Sequence, residues 1–339
     1  AVGRSAEGAR LALRLAGLAA LLLVALVAGV RLGAVDLGVG QIVEAVLGRG
    51  DATTVTIVRE LRLPRAVQAA LVGAALALSG ATFQALLRNP LADPYVLGVS
   101  SGAAVGAVVA VVTGVAARLA WGVPAAAFVG GVAAMLLVLR IAVGVGGGRA
   151  LDTRVLLLAG VVVGSFCNAV IWLVLSFADA ESMRAAIFWM MGSHAGASWR
   201  GTLVLAAYLV PATLVLRLLA RPLDLLGVGE DAAGYLGVGV ERTKLVAYAT
   251  ATLVTAAAVS ACGVVGFVGL VVPHVARMLW GSAHRGLLPT AALLGASFLV
   301  LADALARVVA APVELPIGVV TAFVGVPFFV WLLRRRGRA

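Results

Sequence analysis

RLPRAVQAALVGAALALSGATFQALLRNPLADPYVLGVSSGAAVG, residues 62–106, decides the fold class. Positions 66–87 form an apolar, small-residue run. It is long enough to cross a bilayer, for which roughly 20 residues suffice. An arginine cluster with Pro64 opens it and the Asn89-Pro90 turn closes it. A second run follows at once, dense in glycine at Gly98, Gly102 and Gly106. Hydrocarbon offers no partner to backbone opened by proline or glycine, so such punctuation survives only where protein surrounds it. The stretch reads as the wall of a translocation pathway in a polytopic membrane protein.

Composition agrees. Apolar residues make up 63% of the 339 and charged residues 12%, with a mean hydropathy of +1.11. Soluble domains carry about 25% charged residues. Ten spans are predicted, at 11–30, 66–87, 95–115, 119–139, 155–177, 202–220, 245–262, 264–281, 287–302 and 317–333, in a single all-α domain over 1–339. Arg4, Arg10 and Arg14 precede the first run as in a secretory signal, but the run exceeds the roughly 7–15 residues of a signal core, so a retained helix is expected.

Ten spans put both termini on one side. With the N-terminus inside, seventeen of the 26 Lys and Arg fall near inner loops and tails, Arg149 and Arg338 among them, and nine fall outside. The positive-inside rule therefore predicts both termini in the cytoplasm. The net charge of +11 is mostly topology, with Arg334, Arg335 and Arg336 lying against anionic lipid, rather than a nucleic-acid surface. Cys167 and Cys262 fall within spans, without metal-ligand spacing or a disulfide framework.

Several chemistries are excluded. A P-loop needs Gly-Lys-Ser/Thr, and the only lysine, Lys244, is followed by Leu245, so the chain is no P-loop ATPase. HExxH is absent, and His194, His274 and His284 lack ligand spacing. Proton-coupled carriers place ionisable groups at membrane depth. Here Asp303, at the outer end of its span, is the nearest case. A membrane enzyme and an ATP-independent secondary carrier are thereby weakened.

Arg59, Arg62 and Arg65 break the charge rule by clustering outside, and Arg307 is a fourth outer cation with Asp303 one turn before it. An i,i+4 pair explains Arg307 simply. The cluster fits either snorkelling to lipid phosphate or a basic rim that grips carboxylates of an extracytoplasmic protein. The longest inner polar stretch, 221–243, is acidic in its middle and broken by Gly227, Gly229, Gly234, Gly237 and Gly239. Short helices with glycine corners suit it, and it reads as a docking surface for a cytoplasmic partner. The imidazole of His274 is expected to serve backbone groups freed by Pro273. His194 is expected to be an exposed outer residue and His284 a solvated one.

With these residues the chain resembles the FecCD family of ABC-importer permeases. The resemblance rests on LRLPR at 61–65, VGAALALSG at 72–80, RNPLADPYVLGVSSGA at 88–103, FWMMGS at 188–193, GEDAAGYLGV at 229–238, GFVGLVVPHVAR at 266–277 and ELPIGVVTAFVGVPFFVWLL at 314–333. It implies a type II ABC-importer permease fold with ten transmembrane helices in the bacterial inner membrane. It implies a dimer, either of two copies of this chain (a homodimer) or with a paralogue, two cytoplasmic ATP-binding subunits that hold the ATP and Mg, and a periplasmic substrate-binding protein. This chain itself would bind no cofactor and catalyse no reaction.

By the same resemblance Arg62, Arg65 and Arg307 meet acidic residues of the binding protein. Gly229, Glu230, Asp231, Gly234, Leu236 and Gly237 lie in the loop that couples to the ATPase. Asn89, Leu91 and Thr153 form the cytoplasmic gate, beside which Arg154 replaces a small polar residue of the cobalamin permease. The cargo would be a large iron-containing chelate moved by alternating access. The WMMG segment, 189–192, is more similar to haem and cobalamin permeases than to hydroxamate ones, which points to haem, with ferric siderophore next, and transient contact to a haem iron is then the sharper alternative for His194.

Overall fold

Apolar runs away from water have one local solution that satisfies every backbone group, the α-helix. The computed structural model describes residues 2–33, 35–145 and 152–336, and no strand occurs among them. Arg149 and Arg338 lie outside the described residues, as do the side chains of Arg4, Arg335 and Arg336. The helices are α1 (Val2–Arg31), α2 (Val39–Val46), α3 (Ala52–Thr56), α4 (Leu63–Leu86), α5 (Val99–Val112), α6 (Val115–Arg118), α7 (Gly122–Val145) and α8 (Thr153–Ser176). They continue as α9 (Ala180–Met190), α10 (Trp199–Leu218), α11 (Ala220–Val228), α12 (Glu230–Tyr235), α13 (Val240–Cys262), α14 (Val268–Trp280), α15 (His284–Val308) and α16 (Ile317–Arg336).

Seven helices are long and apolar enough to cross a membrane, at seven of the ten expected places. Three shorter apolar helices, Val99–Val112, Val268–Trp280 and Ile317–Trp331, stand at the other three. The second expected span starts earlier than its apolar run. A continuous helical stretch covers Ala52–Leu86, with a π segment at Ile57–Arg62 joining α3 to α4. Asp51 starts it by accepting from Thr54 N at 2.8 Å. Pro64, just after the π segment, cannot donate to the preceding turn. In π register its missing bond falls on Arg59 O, which accepts instead from Trp199 Nε1 at 2.8 Å.

Burial sorts the helices into layers. Of the most apolar window of each, 78% is buried for the stretch containing α4 and 67% for α13 and α15, against 28% for α7, α8 and α10 and 11% for α1. The small residues of α4 explain its central place. Gly73 lies against the backbone of Gly295 in α15, and Gly80 against that of Gly269 in α14, with no room for a Cβ at either contact. Backbones that approach so closely gain van der Waals contact that lipid cannot match.

α5 and α14, of 14 and 13 residues, rise only about 20 Å each, less than the roughly 30 Å of a bilayer core. Polar side chains serve the irregular backbone beside them. Tyr95 Oη donates to Val265 O at 2.8 Å and accepts from Val265 N at 3.0 Å. Pro273 leaves Gly269 O without its helical donor. Gln84 Nε2 of α4 serves this freed backbone, reaching Gly269 O at 3.4 Å and Leu270 O at 3.2 Å. Gln84 Oε1 in turn accepts from Arg277 Nη1 at 2.9 Å.

Contacts at helix ends fix the alternation. The start of α4 and the end of α15 meet through Arg65 and Asp303, 3.0 Å apart, beside the end of α1. At the opposite ends, Thr153 Oγ1 of α8 donates to Leu86 O of α4 at 3.5 Å, and Asp224 of α11 meets His284 of α15.

Candidate functional site

Three regions carry the expected site residues. At the end of the bundle expected to face outward, Arg62, Arg65 and Arg307 converge on one cluster. Asp303, 1% exposed, lies 3.0 Å from Arg65 Nη2 and 3.2 Å from Arg307 Nε. This is the i,i+4 pair expected for Arg307. Most of the guanidinium donors turn inward. Arg62 Nη1 donates to Val30 O and Arg31 O, each at 2.9 Å, and its Nη2 to Val35 O. Arg307 donates to Gly29 O at 2.7 Å and Leu32 O at 2.6 Å. Together they cap the C-terminus of α1, whose last carbonyls have no helical donor and whose dipole favours cations. Arg65 alone reaches an exposed group, Glu314, at 2.9 Å. Arg59 is exposed and caps α2 through Val46 O at 2.7 Å.

At the inner end the glycine-cornered loop forms two short helices, α11 and α12. Leu223, Leu226 and Ala233 are buried in the core beneath them, whereas Val228, Tyr235 and Leu236 are 78%, 92% and 65% exposed. Gly237 ends α12 at φ +82, a left-handed conformation that suits glycine, with Val238 N donating back to Ala233 O at 3.0 Å. Two tethers fix the base. Asp224 Oδ1 lies 2.6 Å from His284 Nδ1 and accepts from His284 N at 2.9 Å. Glu230 pairs with Lys244 at 3.0 Å. Gly229, Glu230, Asp231, Gly234, Leu236 and Gly237 thus sit on one braced projection.

The residues expected to form the gate adjoin it. Asn89 Oδ1 accepts from Leu91 N at 2.9 Å, which closes the turn between α4 and α5. Thr153 reaches Leu86, three residues before Asn89. Asp152 caps α8 by accepting from Arg154 N at 2.7 Å, a bond that holds its carboxyl below the usual range. A polar cleft of about 490 Å³ separates gate from loop, lined by Arg88, Thr153, Arg154, Glu230, Asp231 and Lys244 among others.

The model of the FecCD transport family matches residues 21–335. The chain belongs to the FecCD transport family. It is 42% identical over 294 residues to the ABC transporter permease protein YvrB of Bacillus subtilis (strain 168), across 86% of this chain and 82% of that one. It is 43% identical over 279 residues to the vitamin B12 import system permease protein BtuC of Escherichia coli O157:H7 (strain EC4115 / EHEC), across 82% and 84% of the two chains. Among solved structures, a metal-chelate type ABC transporter in an inward-facing conformation superposes with a TM-score of 0.83 at 33% identity, covering 95% of this chain and 98% of that one. PsaBC from Streptococcus pneumoniae, at 17% identity and a TM-score of 0.56, shares the fold. This FecCD permease is a multi-span membrane subunit of an ABC importer, and ATP hydrolysis belongs to separate ATP-binding subunits.

Two histidines of the permease differ from expectation. His194 is fully buried, with Nδ1 3.1 Å from Gln68 Oε1, rather than exposed on the outer segment. The loop after α9 folds inward because Ser193 N donates to Cys262 O at 2.7 Å and Gly192 O accepts from Ile317 N at 3.1 Å. Burial pushes the imidazole down to about 4. His284 is 6% exposed and paired with Asp224, not solvated. Sequence reading also missed Gln84, the polar side chain that holds the broken helices together. Its position inside an apolar run was the available signal.

Proposed function

We propose that this FecCD permease pairs with a second copy of itself and imports a large metal chelate by alternating access. Two ATP-binding subunits holding ATP and Mg would dock on the cytoplasmic side, and a periplasmic binding protein would deliver the cargo. The braced coupling projection carries this reading. Its exposed tip, Val228, Tyr235 and Leu236, offers an apolar contact to an ATPase, while the Asp224–His284 tether passes motion of the tip to α15. α15 runs to Asp303 and Arg307, so a tilt at the inner end reaches the outer cluster. The turn at Asn89 and Leu91, with Thr153, would open and close the inner end. In this reading both termini lie in the cytoplasm, as the Lys and Arg bias supports.

The outer face would receive the binding protein. Arg62 and Arg307 hold the rim's shape through α1, and Arg65 with Glu314 presents charge at its surface. The partner copy would face the apolar cavity of about 590 Å³ lined by Met190, Met191, Phe323 and Val326. Exposed apolar residues flank it, among them Phe188 at 56% and Phe323 at 77%.

For the cargo, the vitamin B12 permease relatives favour a cobalamin-type corrinoid over the haem suggested by the WMMG segment. His194, the residue that would have touched a haem iron, is committed to Gln68. Uptake of labelled cobalamin and of haem into proteoliposomes bearing the complete transporter separates them. Cobalamin uptake that excess haem leaves unchanged is the expected result. Haem uptake without cobalamin uptake would reverse the assignment.

A further inference from the structure

α7 and α10 both pack on α13, and they part towards the outer face to leave a slot between them. The slot holds about 400 Å³, with Ala257, Ser260 and Ala261 of α13 as its floor. At its inner end the rings of Phe128 and Tyr208 meet, 5.1 Å between centroids. At its outer end stands Trp121, seven residues before Phe128, so the slot is about 10 Å deep.

Three features of the slot point to a ligand with a graded polarity. Arg200 stands at the mouth with its guanidinium carbon 5.3 Å from the Trp121 ring centroid. It is exposed and forms no ion pair with a carboxylate among the described residues. One turn deeper, Gln68 is only 3% exposed and lines the slot. Its Oε1 is taken by His194, and its Nε2 lies against Gly201, where an added Cβ would come within 3.5 Å. No hydrogen bond of that Nε2 occurs among the described residues, so the slot offers one amide donor. Below it the walls are apolar and aromatic.

The wall residue Val204 and the neighbouring Leu203 are 46% and 67% exposed, so the slot opens sideways where lipid lies. α10 packs on α13, α4, α15 and α11, away from the α9–α16 cavity proposed for the partner copy. A phospholipid of the outer leaflet matches the order of groups. Its phosphate would meet Arg200, an ester carbonyl would accept from Gln68 Nε2, and one acyl chain would lie along Trp121, Phe128 and Tyr208. Tryptophan and arginine at the interface suit the headgroup level, and a buried amide gains by finding an acceptor. We propose that this slot is a phospholipid site that holds α7 and α10 apart, a role distinct from cargo transport.

Native mass spectrometry of the purified permease, equilibrated with palmitoyl-oleoyl phosphatidylglycerol in detergent, tests this. One phospholipid per subunit is expected to survive activation. Gly201→Leu fills the neck beside Gln68, and Arg200→Gln removes the phosphate's partner. Each is expected to lower occupancy about tenfold or more, the scale of one lost charged hydrogen bond. A Gly201→Leu permease that elutes and melts like the native one yet retains the same lipid overturns the proposal. If that variant does not fold, Arg200→Gln decides, since its site is exposed, and undiminished occupancy there is equally fatal.

Discussion

Asp303→Ala is expected to destabilise the permease by about 3–5 kcal/mol, the usual consequence of removing one partner from a buried ion pair. The carboxylate is 1% exposed and lies between two guanidiniums, Arg65 at 3.0 Å and Arg307 at 3.2 Å. Without it Arg307 loses its only carboxylate among the described residues in a site with little water, and Arg65 keeps only the exposed Glu314. Arg307 also spans α1 and α15, so its displacement would free Gly29 O and Leu32 O at the end of α1. The expected signature is a lower melting temperature in detergent, accompanied by trypsin cleavage at Arg31. Asp303→Asn, which keeps an acceptor of the same shape, should fall between the two. An Asp303→Ala permease with native melting and a protected Arg31 would show that the cluster does not hold α1.

The second large effect is expected at the exposed tip proposed to dock the ATP-binding subunit. Tyr235 and Leu236 are 92% and 65% exposed, so changing both to Asp should leave folding intact. An apolar tip of this kind is the usual place for binding energy to concentrate, and loss of one such anchor costs about 2–4 kcal/mol. Affinity for the ATP-binding subunit should therefore fall roughly 30-fold to 1,000-fold. Binding of the purified permease to immobilised ATP-binding subunit measures this directly, with the melting temperature as control. Native affinity in the double variant would remove the loop from the coupling interface.

The class of fold was legible in the opening stretch. Its small residues announced close helix packing, and Gly73 and Gly80 do meet the backbones of Gly295 and Gly269. The placement of the ten apolar helices was also legible, because hydropathy is a local property. Partners across the fold were not. Arg62 read as a surface cation, since nothing in its own segment shows that the carbonyls of α1 lie opposite it. His284 read as solvated for the same reason, its partner Asp224 being 60 residues earlier. His194 lies among small residues, between Ser193 and Ala195, and looks exposed until the chain reversal through Gly192 and Cys262 carries it inward. The glycine corners of the coupling loop were visible, but the burial of Leu223 and Leu226 that makes it a rigid projection depends on the surrounding helices.

That α15 is tied at both ends gives the proposed transport cycle a physical element. Asp224 grips its first turn and Arg65 grips its last through Asp303. In that proposal, movement of loop 221–243 reaches α15 through Asp224 and His284.

The most direct measurement is cargo uptake into proteoliposomes that hold the permease alone or with its ATP-binding subunits and binding protein. Uptake is expected only in the complete system and in proportion to ATP hydrolysis, and should cease with a non-hydrolysable ATP analogue whatever ion gradient is imposed. Uptake by the permease alone along an ion gradient would contradict the assignment of this chain as the alternating-access permease of an ATP-driven importer.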